Sequence, residues 1–519
     1  MGLSRRLFLR AAGLGTATAA IAACSPGRLG GQLPGTAPTG TGSAGTGPTG
    51  TAMAPPDWAA LRARLAGQLL LPSDEGYPTE RLAFNPLFDT NQPAAVARCT
   101  RPEDVQACVD LAAAKHIPIA ARGGGHSYVG YSTPDQGLVV DLGAMNGIEI
   151  HPDGTAVIGA GARLIDVYAT LAGAGRCLPA GSCPTVGIAG LTLGGGLGVL
   201  SRKYGLTCDR LASARVVTAE GSLRTAAPDS EPGLYWALRG GGGGNLGIVT
   251  SFTFSTVPAP EPVVFQLRFP AGSVADALGS WQQFTLSAPD EFWSTLAVSG
   301  GDPPTCRVTG CFVGTTGGLR QFLDDLVSRA GVAPLSRSMQ ATSYLDAMRY
   351  FGGCSTKSIP QCHPNWNGQM NWNGAGQLGR QSFVASSRVL QAPVSDPGRI
   401  ASIMAEQPGM DLLIDSLGGA VGRIGTTETA FPHRSALATL QIYRGATTAT
   451  APGARRAVGA VRTELAALTG DTGYVNYIDP ELPNWARAYY GANLPRLRQV
   501  AAMYDPDGVF AFAQGLTSA

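Results

Sequence analysis

The chain has 519 residues, 44% of them hydrophobic and only 14% charged, with 71 Gly and 37 Pro. That length exceeds one ordinary hydrophobic core, and the Gly and Pro content disfavours a long coiled coil or an all-helical bundle. Lys and Arg total 38 against 36 Asp and Glu, a net charge of +2, so no basic field exists to hold a nucleic-acid backbone.

Residues 1–24 read as an export signal. Arg5, Arg6 and Arg10 precede an apolar run too short and too rich in Ala and Gly for a stable membrane span. Ser4-Arg5-Arg6-Leu7-Phe8-Leu9 resembles a twin-arginine signal, and Ile21-Ala22-Ala23-Cys24 resembles a bacterial lipobox. Either Cys24 becomes the lipidated first residue of the mature chain, or the signal is an ordinary one with an incidental cysteine. Loss of three arginines with the leader would leave a net charge of about −1. Residues 25–52 are Ser, Pro, Gly and Thr with almost no large apolar side chain, a flexible tether suited to holding a body off a membrane surface. The protein is thus expected outside a bacterial cell, secreted or lipid-anchored at the outer face of the cytoplasmic membrane.

The folded body is expected to start near residue 53. A short helix opens at 57–61, followed by a strand over 94–99, a helix from Pro102 to about Lys115 and a strand over 117–122, a small α/β unit. Next comes Arg122-Gly123-Gly124-Gly125-His126-Ser127-Tyr128. A Gly run at a strand end can turn sharply and expose consecutive backbone N–H groups, as in the nests that bind phosphate. Its spacing is neither that of a P-loop nor that of a dinucleotide-binding turn. Strands are expected at 138–141, 148–151 and 156–159 and a helix at 166–172. A second Gly-rich stretch runs from Pro179 through Cys183 to Gly198 and a third over 240–247. Three such segments flanked by apolar strands point to one extended ligand with backbone lying against it.

Residues 261–470 alternate strands, such as 263–269 and 410–416, with helices, such as 319–329 and 455–468, the pattern of an antiparallel sheet backed by helices. Ten cysteines in an exported chain permit disulfides. Cys99 with Cys108, Cys306 with Cys311 and Cys354 with Cys362 are the near pairs, and the connectivity is open. No Cys or His set, His363 included, makes a convincing metal site.

Three separated motifs carry a resemblance. Arg122 to Ser127, the Gly181-Ser182-Cys183 string with its Gly-rich sequel, and Tyr474-Val475-Asn476-Tyr477-Ile478-Asp479 continuing to Tyr504-Asp505-Pro506 and Phe510 resemble the berberine bridge enzyme-like flavoproteins. These belong to the vanillyl-alcohol oxidase group of FAD-linked oxidoreductases, and the likeness spans roughly residues 80–516. It implies an α+β fold: a two-subdomain FAD-binding domain at 53–260, a substrate domain with an antiparallel sheet backed by helices at 261–470, and a segment, 471–519, returning to complete the FAD domain.

By the same resemblance FAD is held twice covalently, His126 carrying the 8α-methyl group and Cys183 bonding to C6 of the ring. The backbone after Arg122, at Gly123, Gly124 and Gly125, is expected to face the pyrophosphate together with Ser127. Gly187, Gly190, Gly194 and Gly195 would approach the diphosphate and ribose, Gly247 and Val249 the adenine end, and Asn476 the pyrimidine ring or ribityl chain.

Oxidation of an alcohol removes a hydride and a proton, and the proton needs a base. Tyr474 is the chosen base or relay: it lies two residues from Asn476 on an expected strand, so both face one side. A free tyrosine has a pKa near 10, so something has to favour its phenolate. Tyr128 resembles the tyrosine that lines carbohydrate-oxidising sites. Gln441 and Tyr443 form another same-face pair. Gln441 stands where alkaloid-cyclising members carry an acidic base, and its amide cannot act as one, which disfavours ring closure and favours simple alcohol oxidation. Asp415, before Gly418-Gly419, is a further candidate for the cavity, whereas Tyr489 and Tyr490 read as packing. Ile188 lies about where family members admit or block oxygen.

The expected activity is oxidation of an alcohol on a carbohydrate or oligosaccharide, with electrons passing to dioxygen to give hydrogen peroxide. A glycosylated or aromatic natural product as substrate, and a non-catalytic flavin-binding lipoprotein, are the alternatives. The chain is expected to act as a monomer, with no nucleic acid and no metal.

Overall fold

The computed structural model describes residues 56–365 and 378–517; the expected export signal, Cys24 and the expected tether lie outside the described residues. Three sheets organise the chain. In the first, Ala95–Arg98, Leu138–Asp141 and Ile119–Arg122 are parallel, with Gln68–Leu70 antiparallel at the edge. Both faces of the central strand are covered, so Leu138, Val139 and Val140 are all buried, as parallel strands require. The crossover helix Pro102–Lys115 begins at a proline, whose fixed φ suits a first turn, and ends at His116 in the left-handed region. The second sheet is five-stranded and antiparallel, in the order Ile148–Ile150, Thr155–Gly159, Ile248–Ser255, Leu211–Val217, Leu223–Ala226.

The third sheet has seven antiparallel strands and decides where chemistry can happen. Its order is Ser336–Ala341, Val263–Arg268, Thr305–Phe312, Phe292–Ser299, Met410–Ser416, Ala438–Gly445, Phe383–Leu390. Side chains alternate across it. Leu296, Val298, Leu412, Ile414, Leu440 and Ile442 face one way, into a single apolar core with the helices Val274–Ser287, Thr316–Ala330, Pro397–Ala405 and Ala451–Thr469. Thr295, Ala297, Leu413, Asp415 and Gln441 face the other way and line a cavity. A slip of one residue would exchange these two sets, so the apolar alternation pins the register.

The C-terminal segment then crosses back. Tyr489, Tyr490, Leu497, Val500, Phe510 and Leu516 join the core that also holds Val216 and Phe252 of the five-stranded sheet. It is also tied to the seven-stranded sheet, where the Tyr474 N–H donates to the Ser387 hydroxyl at 2.9 Å, and to the helix Ala451–Thr469, where Arg462 pairs with Asp479.

Three expectations change here. Residues 474–476 do not form a strand: Val475–Tyr477 is a turn of 3-10 helix. Tyr474 and Asn476 nevertheless meet, because that turn brings the Asn476 amide to the Tyr474 hydroxyl at 2.9 Å. Cys306 and Cys311 cannot bond, because they lie five residues apart on one strand and therefore on opposite faces, Cys306 in the helix-backed core and Cys311 in the core of the first unit. Cys354 and Cys362 form a disulfide, while Cys99 and Cys108 are buried thiols. Among the described residues no helix is long and apolar enough to cross a membrane.

Candidate active site

A long cavity runs between the first two sheets, the seven-stranded sheet and the C-terminal segment. One wall is glycine because two loops touch through their backbones. A Cβ added at Gly124 would lie 2.2 Å from the Gly187 nitrogen, and one at Gly187 would lie 2.3 Å from the Gly124 nitrogen. Gly123, Gly125 and Ser127 continue this wall, with Gly125 turning at φ +71°. Among the described residues nothing accepts from the backbone N–H groups of Gly123, Gly124, Gly125 and Ser127. Together they form an anion-seeking nest.

Arg122 does not face this cavity. Its guanidinium is 5% exposed, donates to Asp141 at 2.7 Å and to the carbonyls of Leu82 and Glu80, and so anchors the root of the loop. Its expected place at the ligand is corrected: the strand's alternation aims the side chain at its neighbour Asp141.

His126 and Cys183 both line the cavity and meet at one hydroxyl. His126 Nε2 lies 2.9 Å from Thr185 Oγ1, and Cys183 Sγ lies 3.4 Å from the same oxygen. The imidazole stacks on Phe84, centroids 3.8 Å apart. Burial, and then the charge of Arg163, push the His126 pKa down to about 3, so the ring is neutral. Nothing in the sequence singles out Thr185 or Arg163; only the meeting of the two loops does.

Along the second Gly-rich stretch, Gly190 has open space where a Cβ would sit and lines the cavity with Gly187. Gly194 and Gly195 do not line it. A Cβ at Gly194 would strike the Asn476 side chain at 2.1 Å, and one at Gly195 would press on Phe431 at 3.0 Å, so these glycines admit protein neighbours instead of a ligand. Ile188 is fully buried in the core, and Val186 and Ala189 supply the cavity wall beside it. Gly247, at φ +133°, and Val249 line the far end, with the Gly247 position closed against the Val217 carbonyl.

Polar side chains gather where the sheet faces the C-terminal turn. Asp415 stands opposite Thr295 in register, and burial pushes its carboxyl up to about 6 against the opposing effect of the Thr295 hydroxyl. Gln441 donates an amide N–H to the Tyr128 hydroxyl. Tyr128 stacks on Tyr477 with centroids 5.6 Å apart, and Tyr477 meets the edge of Tyr474 at 5.0 Å. Burial, followed by the negative charge of Asp415, raises the Tyr477 pKa well above its ordinary value.

The Tyr474 hydroxyl is differently employed. It is 2% exposed and accepts from the Gly196 N–H at 3.2 Å and from the Asn476 amide at 2.9 Å. Those donors favour a phenolate, but burial outweighs them and the pKa rises. Asn476 also donates to the Leu191 carbonyl at 2.9 Å. Tyr443 stacks on Phe383 and does not line the cavity, although it lies near Tyr128. Tyr477 lines the cavity and is not singled out by the sequence reading. Its signal in the sequence is its place as the second tyrosine of the Tyr474-Val475-Asn476-Tyr477 string.

This arrangement fits FAD. A nest of N–H groups suits a pyrophosphate, glycine backbone at Gly123, Gly124, Gly187 and Gly190 suits a flat extended molecule, and a neutral His126 beside Cys183 suits an electron-poor ring.

Comparison with known proteins agrees. Residues 93–227 match the family described as "FAD binding domain", and residues 473–517 match "Berberine and berberine like". An uncharacterized FAD-linked oxidoreductase, YgaK of Bacillus subtilis, is 33% identical over 88% of this chain and 98% of its own length. A chitooligosaccharide oxidase of Gibberella zeae is 30% identical, over 82% of this chain and 87% of its own. A monolignol oxidoreductase of Arabidopsis thaliana is 26% identical, over 86% and 85%. Among solved structures, Physcomitrella patens BBE-like 1 superposes with a TM-score of 0.81 at 29% identity, covering 89% of this chain and 99% of that one.

Proposed function

We propose, for a chain that belongs to the berberine bridge enzyme-like FAD-linked oxidoreductases and acts on CH–OH groups, that the substrate is a carbohydrate or oligosaccharide and the electron acceptor is dioxygen. The observation carrying this reading is the polar cluster of Tyr128, Gln441, Tyr477 and Asp415 facing the glycine trough. It offers a hydroxyl-bearing substrate neutral donors and acceptors and one carboxyl able to take a proton near neutral pH.

A bound FAD would supply the acceptor for the two electrons of the alcohol carbon, with dioxygen as their final acceptor. The chain handles the proton. Tyr477, a neutral phenol, can take it only by handing its own proton on, and the Asp415 carboxylate, whose charge acts on that phenol, is the acceptor. Tyr128, fixed by Gln441, orients the substrate. Tyr474 and Asn476 brace the turn that carries Tyr477. His126 and Cys183 attach the cofactor covalently, which would prevent its loss outside a cell. The FAD-binding unit consists of the residues before about 260 with the C-terminal segment, and the span between them forms the substrate unit.

The rings of Tyr128, Tyr477 and Trp293 in the same cavity favour a second reading, oxidation of a glycosylated or aromatic natural product. A hydrogen peroxide screen over oligosaccharides, glycosides and aromatic alcohols separates the two. Turnover of aromatic alcohols alone would overturn the carbohydrate reading, and activity only with an artificial acceptor would overturn the oxidase reading.

A further inference from the structure

A buried cation, Arg163, lies behind the point where the two attachment loops meet. Arg163 is 6% exposed and has no carboxylate within ion-pair distance among the described residues. It donates instead to the backbone carbonyl of Thr185 at 2.6 Å and to that of Gly124 at 3.4 Å. One guanidinium therefore stitches the loop ending in His126 to the loop carrying Cys183, at the level where Gly124 and Gly187 are in backbone contact. Burial outweighs the more distant charges of Asp141 and Asp166 and pulls the Arg163 pKa down to about 10, so this guanidinium is held at a cost in stability.

Two constraints on His126 follow. Its ring is clamped between the face of Phe84 and the Thr185 hydroxyl, so it cannot turn. A neutral imidazole has one N–H and one lone pair. If Nε2–H donates to Thr185 Oγ1, the lone pair belongs to Nδ1.

We propose that Thr185 and Arg163 are positioning residues for covalent flavin attachment: Thr185 accepts the Nε2–H of His126 and leaves Nδ1 as the attaching atom, while Arg163 holds the two loops in register. This rests on the bicovalent reading given above. Attachment forms one N–C bond at the cofactor methyl group. The two hydrogens displaced, one from the imidazole and one from the methyl group, end with their two electrons in hydrogen peroxide formed from dioxygen. The Arg163 charge assists by opposing protonation of the ring, since a cationic imidazole has no lone pair to offer.

The test is made on purified flavoprotein, with wild type, Thr185→Val, Thr185→Ser, Arg163→Gln and His126→Ala compared by peptide mass spectrometry after denaturation and by acid-released flavin. Thr185→Val and Arg163→Gln are expected to lower occupancy of the residue-126 peptide at least about fivefold while FAD still binds, and Thr185→Ser to restore it. In wild type, NMR of the flavopeptide should give an Nδ1 linkage, a readout that does not depend on any variant folding. Wild-type occupancy in Thr185→Val, failure of Thr185→Ser to rescue, or an Nε2 linkage overturns this proposal alone. Absence of flavin on the wild-type residue-126 peptide overturns the bicovalent reading, and this proposal with it.

Discussion

At the scale of single residues, the chemistry depends on which of two neighbouring tyrosines has its hydroxyl uncommitted. Tyr474 accepts from Gly196 and Asn476, whereas Tyr477 stands between Tyr128 and the charge of Asp415. Tyr477→Phe and Asp415→Asn are each expected to slow flavin reduction by about 10²–10⁴-fold in stopped-flow traces, the range for losing a positioned acid–base group. Tyr474→Phe is expected to act through stability instead. It strands a buried Gly196 N–H at a cost of about 1–3 kcal/mol, read in chemical denaturation.

The pH dependence has a defined sign. Burial raises the Asp415 carboxyl to about 6, so flavin reduction should accelerate as pH climbs through that value and the carboxylate forms. Stability moves the opposite way. Between the unfolded value near 3.9 and about 6, the folded state binds more protons through this group, so rising pH removes stability. Asp415→Asn should therefore gain stability relative to wild type across that window while losing rate; parallel denaturation curves from pH 4 to 8 would check this. The residue types at 122–128, 181–183 and 474–479 were legible as a flavin constellation, but side-chain direction was not. Arg122 belongs to the same string as His126, yet it points at Asp141 and two carbonyls.

At the scale of elements, periodicity was a good guide wherever one face is buried. The spans at 138–141 and 410–416 form as strands, and the helix after Pro102 runs to Lys115, because apolar alternation and a proline start leave few other solutions. Periodicity failed at 474–476, where β-prone residues sit in a 3-10 turn held from outside by Ser387 and Leu191. The glycines divide in the same way: Gly187 and Gly190 line the cavity, while Gly194 and Gly195 admit protein neighbours.

Gly124→Ala tests the contact between the two loops. Its methyl would meet the Gly187 nitrogen at 2.2 Å, and backbone cannot yield cheaply, so a loss of about 1–3 kcal/mol and of bound flavin is expected in thermal melts and absorbance spectra. The Cys354–Cys362 disulfide closes a short loop. Replacing both cysteines with serine should cost about 2–3 kcal/mol by loop entropy, measurable in guanidinium titration.

At the scale of the whole molecule, the cavity is complete only when the chain end returns. Tyr474, Asn476, Tyr477, Phe510 and Gln514 supply one side of it, and the Leu516 N–H donates to the Asn245 side chain at 3.0 Å to close the far end. Truncation after Gly470 should therefore yield protein that retains no flavin, seen as loss of the yellow absorbance.

From its sequence alone this chain could be placed as an α+β FAD-linked oxidoreductase, because the Gly-rich strings, the apolar alternation and the caps are local properties of a covalent chain. Tertiary structure decided which tyrosine hydroxyl in the cavity is left uncommitted, which glycines line that cavity, where Arg122 is spent, and that Arg163 and Thr185 stand behind His126. Each of those outcomes joins residues at least 20 apart in the chain or depends on the direction of one side chain, and spacing along a sequence carries neither.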